Sequence, residues 1–140
     1  MKACWFTLEI DWPRNYRVIP MPRILVDACG WVAVIEAGIN IDLALLECCG
    51  YKDLAIVSNV ISELKSLNNS KLMIPMLEAK AELFEAPESS GKHTDDQLFT
   101  LARENNWPIL TVDTDLKRRL SQSNISWVEV SGRSHLRLVE

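Results

Sequence analysis

Two apolar runs in this chain end in a carboxylate. Ile24-Leu25-Val26 leads straight into Asp27, and Ile109-Leu110-Thr111-Val112 leads into Asp113. Leu54-Ala55-Ile56-Val57 is a third apolar run, followed by Ser58 instead of a carboxylate. Runs this short and this continuously apolar read as strands covered on both faces, which is how parallel sheets bury their strands. The segments between them carry helical spacing, so the chain must alternate strands with helices. In such a fold the carboxyl ends of the parallel strands meet at one edge of the sheet, where α/β proteins build their sites.

The remaining elements follow from periodicity and punctuation. A strand is expected over 24–27 and a helix over 29–38, stopping at Gly38. Asn40 can cap a second helix over 41–49, with Ile41, Ala44, Leu45 and Cys48 on one face and Gly50 at its end. A strand over 54–57 precedes a helix over 59–67, with Val60, Leu64 and Leu67 as its core stripe. A fourth helix is expected over 71–83, with a short strand around Leu83–Ala86. The segment Glu85–Lys92 holds Pro87 and Gly91 and reads as a loop. A helix over 95–105, a strand over 109–112, a helix over 115–122 and strands at Ser126–Val130 and Leu136–Val139 complete the chain. This order implies a three-layer α/β/α architecture around a mainly parallel central sheet. Residues 1–22 fit the pattern poorly and are set apart as an N-terminal extension. They hold either an added edge strand at Phe6–Ile10 or a stretch upstream of a natural start at Met21. Residues 23–140 form the domain proper.

Composition narrows the class. A chain of 140 residues, 48% apolar and 24% charged, is long enough for one sizeable core. A net charge of −4 argues against general coating of nucleic acid but leaves room for a local basic rim. No apolar stretch is long enough to span a membrane, and the N-terminus lacks the pattern of a signal peptide. The four cysteines form no CxxC pair, adjacent Cys48 and Cys49 do not easily bridge each other, and free thiols suit a reducing compartment. A cytoplasmic protein without a membrane partner is therefore expected.

The acidic residues at element ends are the candidate site. Asp95 and Asp96 have an ordinary reading: Thr94 with Gln97 matches a capping box, and first-turn carboxylates favour the helix dipole. Asp113 can cap the next helix, and Asp115 can be a solvated first-turn residue. Asp27 is harder to dismiss, because a lone buried carboxylate is costly unless paired or metal-bound. Glu63 falls between Val60 and Leu67, inside the apolar stripe of its helix. Carboxylates converging at one sheet edge repel one another unless a hard cation sits among them, and Mg²⁺ or Mn²⁺ suits oxygen ligands.

At these residues the chain resembles the PIN-domain nucleases, from Arg23 to the C-terminus. The resemblance is carried by Ile24-Leu25-Val26-Asp27, by Val60-Ile61-Ser62-Glu63-Leu64, and by His93-Thr94-Asp95-Asp96-Gln97-Leu98 with Leu101-Ala102. The last motif is Leu110-Thr111-Val112-Asp113-Thr114-Asp115 with Leu116-Lys117-Arg118-Arg119-Leu120. The four acids follow one another at intervals of 36, 32 and 18 residues. The match is most similar to the archaeal and eukaryotic branch that processes small-subunit rRNA, with the VapC toxins next. The resemblance implies a metal-dependent endoribonuclease with catalytic Asp27, Glu63, Asp95 and Asp113. It implies Mg²⁺ or Mn²⁺ on Asp27, Asp95 and Asp113, Glu63 joining through water, and Asp96 and Asp115 as secondary ligands. By the same resemblance Thr111 is expected to support a ligand carboxylate, and Lys117, Arg118, Arg119, Arg133 and Arg137 are expected to form a cationic rim for RNA, rRNA or its precursor. An ordinary solvated helix face is the alternative reading of Lys117–Arg119. Cys29 departs from relatives that carry Ser, Thr or Asn two residues after the first Asp, and the register leaves Asp95 and Asp96 as competing ligands.

Other classes fit less well. A receiver domain needs an acidic pair near its first strand and a late Lys, and a dehalogenase-type phosphatase needs Asp-x-Asp where this chain has Asp27-Ala28-Cys29. A His93–Asp95–Ser triad lacks a nucleophile elbow. The resemblance leaves open a VapC-type toxin with an antitoxin partner, an inactive scaffold among ribosome-assembly factors, and a homodimer.

Overall fold

The computed structural model describes residues 22–67, 70–132 and 134–140. The expected edge strand at Phe6–Ile10, the rest of the extension up to Met21, and Arg133 lie outside the described residues. In chain order the elements are β1 (Ile24–Val26), α1 (Ala28–Ala37), α2 (Ile41–Cys49), β2 (Leu54–Ile56), α3 (Ser58–Ser66), α4 (Ile74–Lys80), β3 (Ala81–Leu83), α5 (Thr94–Asn105), β4 (Ile109–Leu110), α6 (Thr114–Gln122), β5 (Trp127–Ser131) and β6 (His135–Val139). The protein is α/β, and α1 and α2 end where the sequence says they should: Asn40 caps α2, and Gly38 and Gly50 take left-handed conformations after α1 and α2.

One sheet holds six strands in the order β3-β2-β1-β4-β5-β6. The first five are mutually parallel and β6 returns antiparallel to β5. β1, β2 and β4 are buried along their whole length, which is why they read as unbroken apolar runs rather than alternating ones. From β1 the chain steps outward through β2 to β3, then returns to the other side of β1 and steps outward through β4 to β5. Right-handed crossovers then place α1 to α4 on one face and α5 and α6 on the other. The reversal makes the gap between β1 and β4 the topological switch point. Asp27 follows β1 and Asp113 follows β4, so both stand at the mouth of that gap.

Two features set the distance between α1 and the sheet. Trp31 is fully buried and its indole N–H donates to the carbonyl of Leu72 at 2.7 Å, pinning a 3-10 turn at Ser70–Leu72 onto α1. Gly30 rests on the backbone of β4, where a Cβ would lie 2.3 Å from the Leu110 carbonyl oxygen.

The single helix expected over 71–83 is divided. Met73 has φ of 51°, a left-handed residue that separates the 3-10 turn from α4. The helix then ends at Lys80, because Ala81–Leu83 turns extended and pairs in parallel with Leu54–Ile56. The expected strand around Leu83–Ala86 therefore lies earlier, at Ala81–Leu83. Helical periodicity did not reveal this, since the edge strand is only half covered and its pairing is a long-range event. No helix among the described residues is long and apolar enough to cross a membrane.

Candidate active site

Asp27 is 5% exposed at the carboxyl end of β1. Its Oδ1 accepts the backbone N–H of Ala28 at 2.8 Å, so it caps α1. Its Oδ2 accepts the Thr111 hydroxyl at 2.9 Å and the Cys29 thiol at 3.1 Å. Each bond offsets part of the cost of holding a carboxylate out of water. Burial first, and then the charge of Asp27, push the Cys29 thiol up to about 11, so it stays protonated and serves as a donor. The thiol thus fills the donor position where relatives are expected to carry a hydroxyl or amide.

Thr111 joins the two aspartates of the switch point. Besides donating to Asp27, its oxygen accepts the backbone N–H of Asp113 at 3.1 Å. Asp113 in turn caps α6, its Oδ1 accepting the N–H of Asp115 at 2.9 Å and that of Leu116 at 3.4 Å. The capping reading of Asp113 is correct, and it leaves Oδ2 without a described partner. Asp115 is exposed and pairs with Arg118 at 3.3 Å on its own helix.

Glu63 and Asp95 approach from neighbouring elements. Glu63 is exposed on α3, which corrects its expected place inside the buried stripe. At 100° per residue it sits 60° to one side of Val60 and 100° from Leu64, so it borders the stripe rather than joining it. Its carboxylate accepts the Thr94 hydroxyl. The capping box is consequently not formed: His93 is the N-cap of α5 without a side-chain bond, and Gln97 donates to the Gly91 carbonyl at 3.1 Å. Asn59, on α3, donates to the carbonyl of Lys92 at 2.9 Å and fixes the loop that delivers Thr94 and Asp95.

Asp95 senses all of these groups. Its pKa is raised by burial first and then by the charges of Asp27, Asp113 and Glu63, with Arg119 opposing. Asp96 turns elsewhere and pairs with Arg119 at 2.8 Å, while the Arg119 guanidinium lies 4.4 Å from the centre of the Phe99 ring. Glu63, His93, Thr94, Asp95, Asp96 and Arg119 line an open depression of about 390 Å³. Among the described residues no three acidic, Cys or His side chains are drawn together into a ready-made cation cage.

The expected cationic rim is internally paired. Lys117 and Arg137 both engage Glu129, Arg118 engages Asp115, and Arg119 engages Asp96. The Arg118 and Arg119 pairs are exposed and contribute about 0–1 kcal/mol, so a phosphate can displace them at little cost, whereas Glu129 is largely buried and holds Lys117 and Arg137 more firmly. Sequence reasoning missed Gly30, Asn59 and the Thr94–Glu63 bond. Only the glycine has a local signal, as the one residue without a side chain inside a helix that is apolar except for Glu36.

No protein-family profile matches the chain, and no curated protein does. Solved structures do. The PIN domain endonuclease Utp24 superposes with a TM-score of 0.70 at 20% identity, covering 83% of this chain and 90% of that one. PAE2754 from Pyrobaculum aerophilum gives a TM-score of 0.48 at 16% identity, covering 68% of this chain and 77% of that one. The strand order, the switch point between β1 and β4 and the superposition with the Utp24 PIN domain together show that the chain has the PIN-domain fold.

Proposed function

We propose that this protein is a metal-dependent endoribonuclease that cleaves RNA phosphodiesters at the edge marked by Asp27, Glu63, Asp95 and Asp113. The observation that carries the proposal is electrostatic. Burial and then the charges of Asp27, Asp113 and Glu63, which come from three other elements, raise the pKa of Asp95, and a hard cation arriving among these carboxylates would relieve that repulsion. The likeness in fold to an endonuclease supports the same reading. The sequence motifs that resemble the small-subunit branch favour rRNA or its precursor as substrate.

The residues fit a hard divalent ion in donor chemistry. All are carboxylates, and Mg²⁺ typically keeps several waters and takes only one or two protein carboxylates, so a closed cage is not required. Asp27, Asp95 and Asp113 would hold one or two such ions, in part through the metal's own waters, and Glu63 would act through water, with Asp96 and Asp115 secondary. When bound, Mg²⁺ or Mn²⁺ supplies a water of lowered pKa and neutralises charge on the phosphoryl oxygens. The chain's own contribution is positional. Thr111 and Cys29 fix the rotamer of Asp27, α6 fixes that of Asp113, and Thr94 fixes that of Glu63. Arg119 is the one cation lining the depression among the described residues, and it is placed to take a phosphate oxygen if it leaves Asp96.

The test is cleavage of a labelled RNA with Mn²⁺, with Mg²⁺ and with EDTA, by the protein and by Asp27→Asn. Metal-dependent cleavage that EDTA and the substitution both abolish is expected. Equal cleavage by Asp27→Asn refutes the assignment of this edge.

A further inference from the structure

A groove of about 600 Å³ lies between α1 and α3. Ala28, Cys29, Val32, Ala33 and Glu36 form its α1 wall, and Glu63, Ser66 and Leu67 form its α3 wall, with Val112 at the sheet edge. The α1 residues span two turns, so the groove runs for about 12 Å along α1 from the acidic edge. It is continuous with the acidic edge. Glu63 lines both depressions, and Cys29, in the groove wall, holds the Asp27 carboxylate at 3.1 Å. The lining is mainly aliphatic, and Leu67 at its α3 end is left 56% exposed.

Charge selects what can enter. Glu63 stands at the near end and Glu36 at the far end, so a phosphate is repelled from the groove while a neutral, flat, apolar-faced group is not. A substrate strand crossing the acidic edge carries such a group within one nucleotide of the bond to be cut. We propose, resting on the nuclease reading above, that the α1–α3 groove receives the unpaired nucleobase beside the scissile phosphate and that Glu36 selects its identity. The base faces lie against Val32, Ala33 and Leu67. Glu36 contributes only acceptor oxygens. Guanine presents two adjacent N–H groups on its Watson–Crick edge, which one carboxylate can take together in an unpaired strand. Uracil presents one N–H between two carbonyl oxygens, which the carboxylate repels. The groove therefore favours guanine most and uracil least, with adenine and cytosine between.

The experiment uses four short single-stranded RNAs that differ only in the base flanking the cleaved bond, with Mn²⁺ present. They are cleaved by the wild-type protein, by Glu36→Gln and by Ala33→Phe, with melting curves confirming that each is folded. The wild type is expected to cleave the guanine RNA at least tenfold faster than the uracil RNA in kcat/KM. Glu36→Gln, which can donate as well as accept, should narrow that ratio to within threefold. Ala33→Phe, which fills the groove, should slow the guanine RNA tenfold or more yet change little on an RNA with an abasic flanking position. Cleavage without base preference, or a preference that both variants retain, overturns the inference while the nuclease reading stands and assigns the groove to another occupant, such as a peptide segment. Absence of metal-dependent cleavage on all four RNAs overturns both.

Discussion

The Thr111 hydroxyl donates to Asp27 at 2.9 Å across the gap between β4 and β1. Because the same oxygen accepts the Asp113 N–H, one small side chain sets the spacing of both aspartates at the switch point. Thr111 is fully buried, so this bond cannot be replaced by solvent. Thr111→Val keeps the shape and removes the donor. It should cost about 1–3 kcal/mol of stability through the under-satisfied buried carboxylate, and it should lower RNA cleavage at saturating metal. Thr111→Ser restores the hydroxyl and should recover most of both. Denaturant melts and single-turnover cleavage of the two variants decide it, and equal behaviour of Val and Ser would show that the bond does not matter.

Asp95 and Asp96 separate by direction. Adjacent residues on a helix diverge by about 100°, and here Asp95 faces the other acids while Asp96 faces Arg119. Asp95→Asn should abolish cleavage. A raised carboxyl pKa means that the ionised group costs the folded state stability above that range, so the amide should stabilise the metal-free protein at neutral pH. Asp96→Asn should retain measurable cleavage and lose about 0–1 kcal/mol with its exposed ion pair. A dead Asp96→Asn beside an active Asp95→Asn would reverse the assignment.

What the sequence disclosed, and what it did not, follows from the range of each interaction. The buried parallel strands and their terminal acids were legible because a strand covered on both faces leaves an unbroken apolar run, as Ile24–Val26 does. The direction of Asp113 was half legible, since an N-cap is a local bond. The hydroxyl of Thr94 was misread as a cap because its actual acceptor, Glu63, is 31 residues away. The same limit set the expected strand at Leu83–Ala86 too late, since the partner of β3 lies beyond two helices, and it hid the ion pairs that occupy Lys117, Arg119 and Arg137. Local rules find caps, stripes and strand ends, whereas the second partners of polar side chains are fixed by tertiary structure.

Gly30 illustrates a functional requirement expressed as an absence of atoms. A Cβ there would meet the Leu110 carbonyl oxygen at 2.3 Å and the Thr111 nitrogen at 3.0 Å, both backbone. Gly30→Ala must therefore lift α1 off β4 and widen the gap that Thr111 bridges. A loss of about 1–3 kcal/mol, as in overpacked cores, should accompany a fall in cleavage larger than the stability change explains at a temperature where the variant is fully folded. Ala37→Gly, on the same helix but outside both the sheet contact and the groove, is the control for helix propensity. Wild-type stability in Gly30→Ala would contradict the close approach.

Glu129 offers a test of the folded structure that does not touch the acidic edge. Its carboxylate, 13% exposed, bonds Lys117 at 2.9 Å, the Trp127 indole N–H at 2.8 Å, and Arg137. Lys117 foremost, then Trp127 and Arg137, hold it down from 4.5 to about 2. A depressed carboxyl binds its proton less readily in the folded state than in the unfolded chain, so its contribution is complete above about pH 4.5 and is lost as the pH falls toward 2. Glu129→Gln should lower stability by about 1–2 kcal/mol at pH 7, the scale of a hydrogen bond to a charged group. The difference from wild type should shrink steadily between pH 4.5 and pH 2. Urea melts of both proteins across that range check the sign: a gap that widens on acidification would mean that Glu129 is not held ionised by these partners.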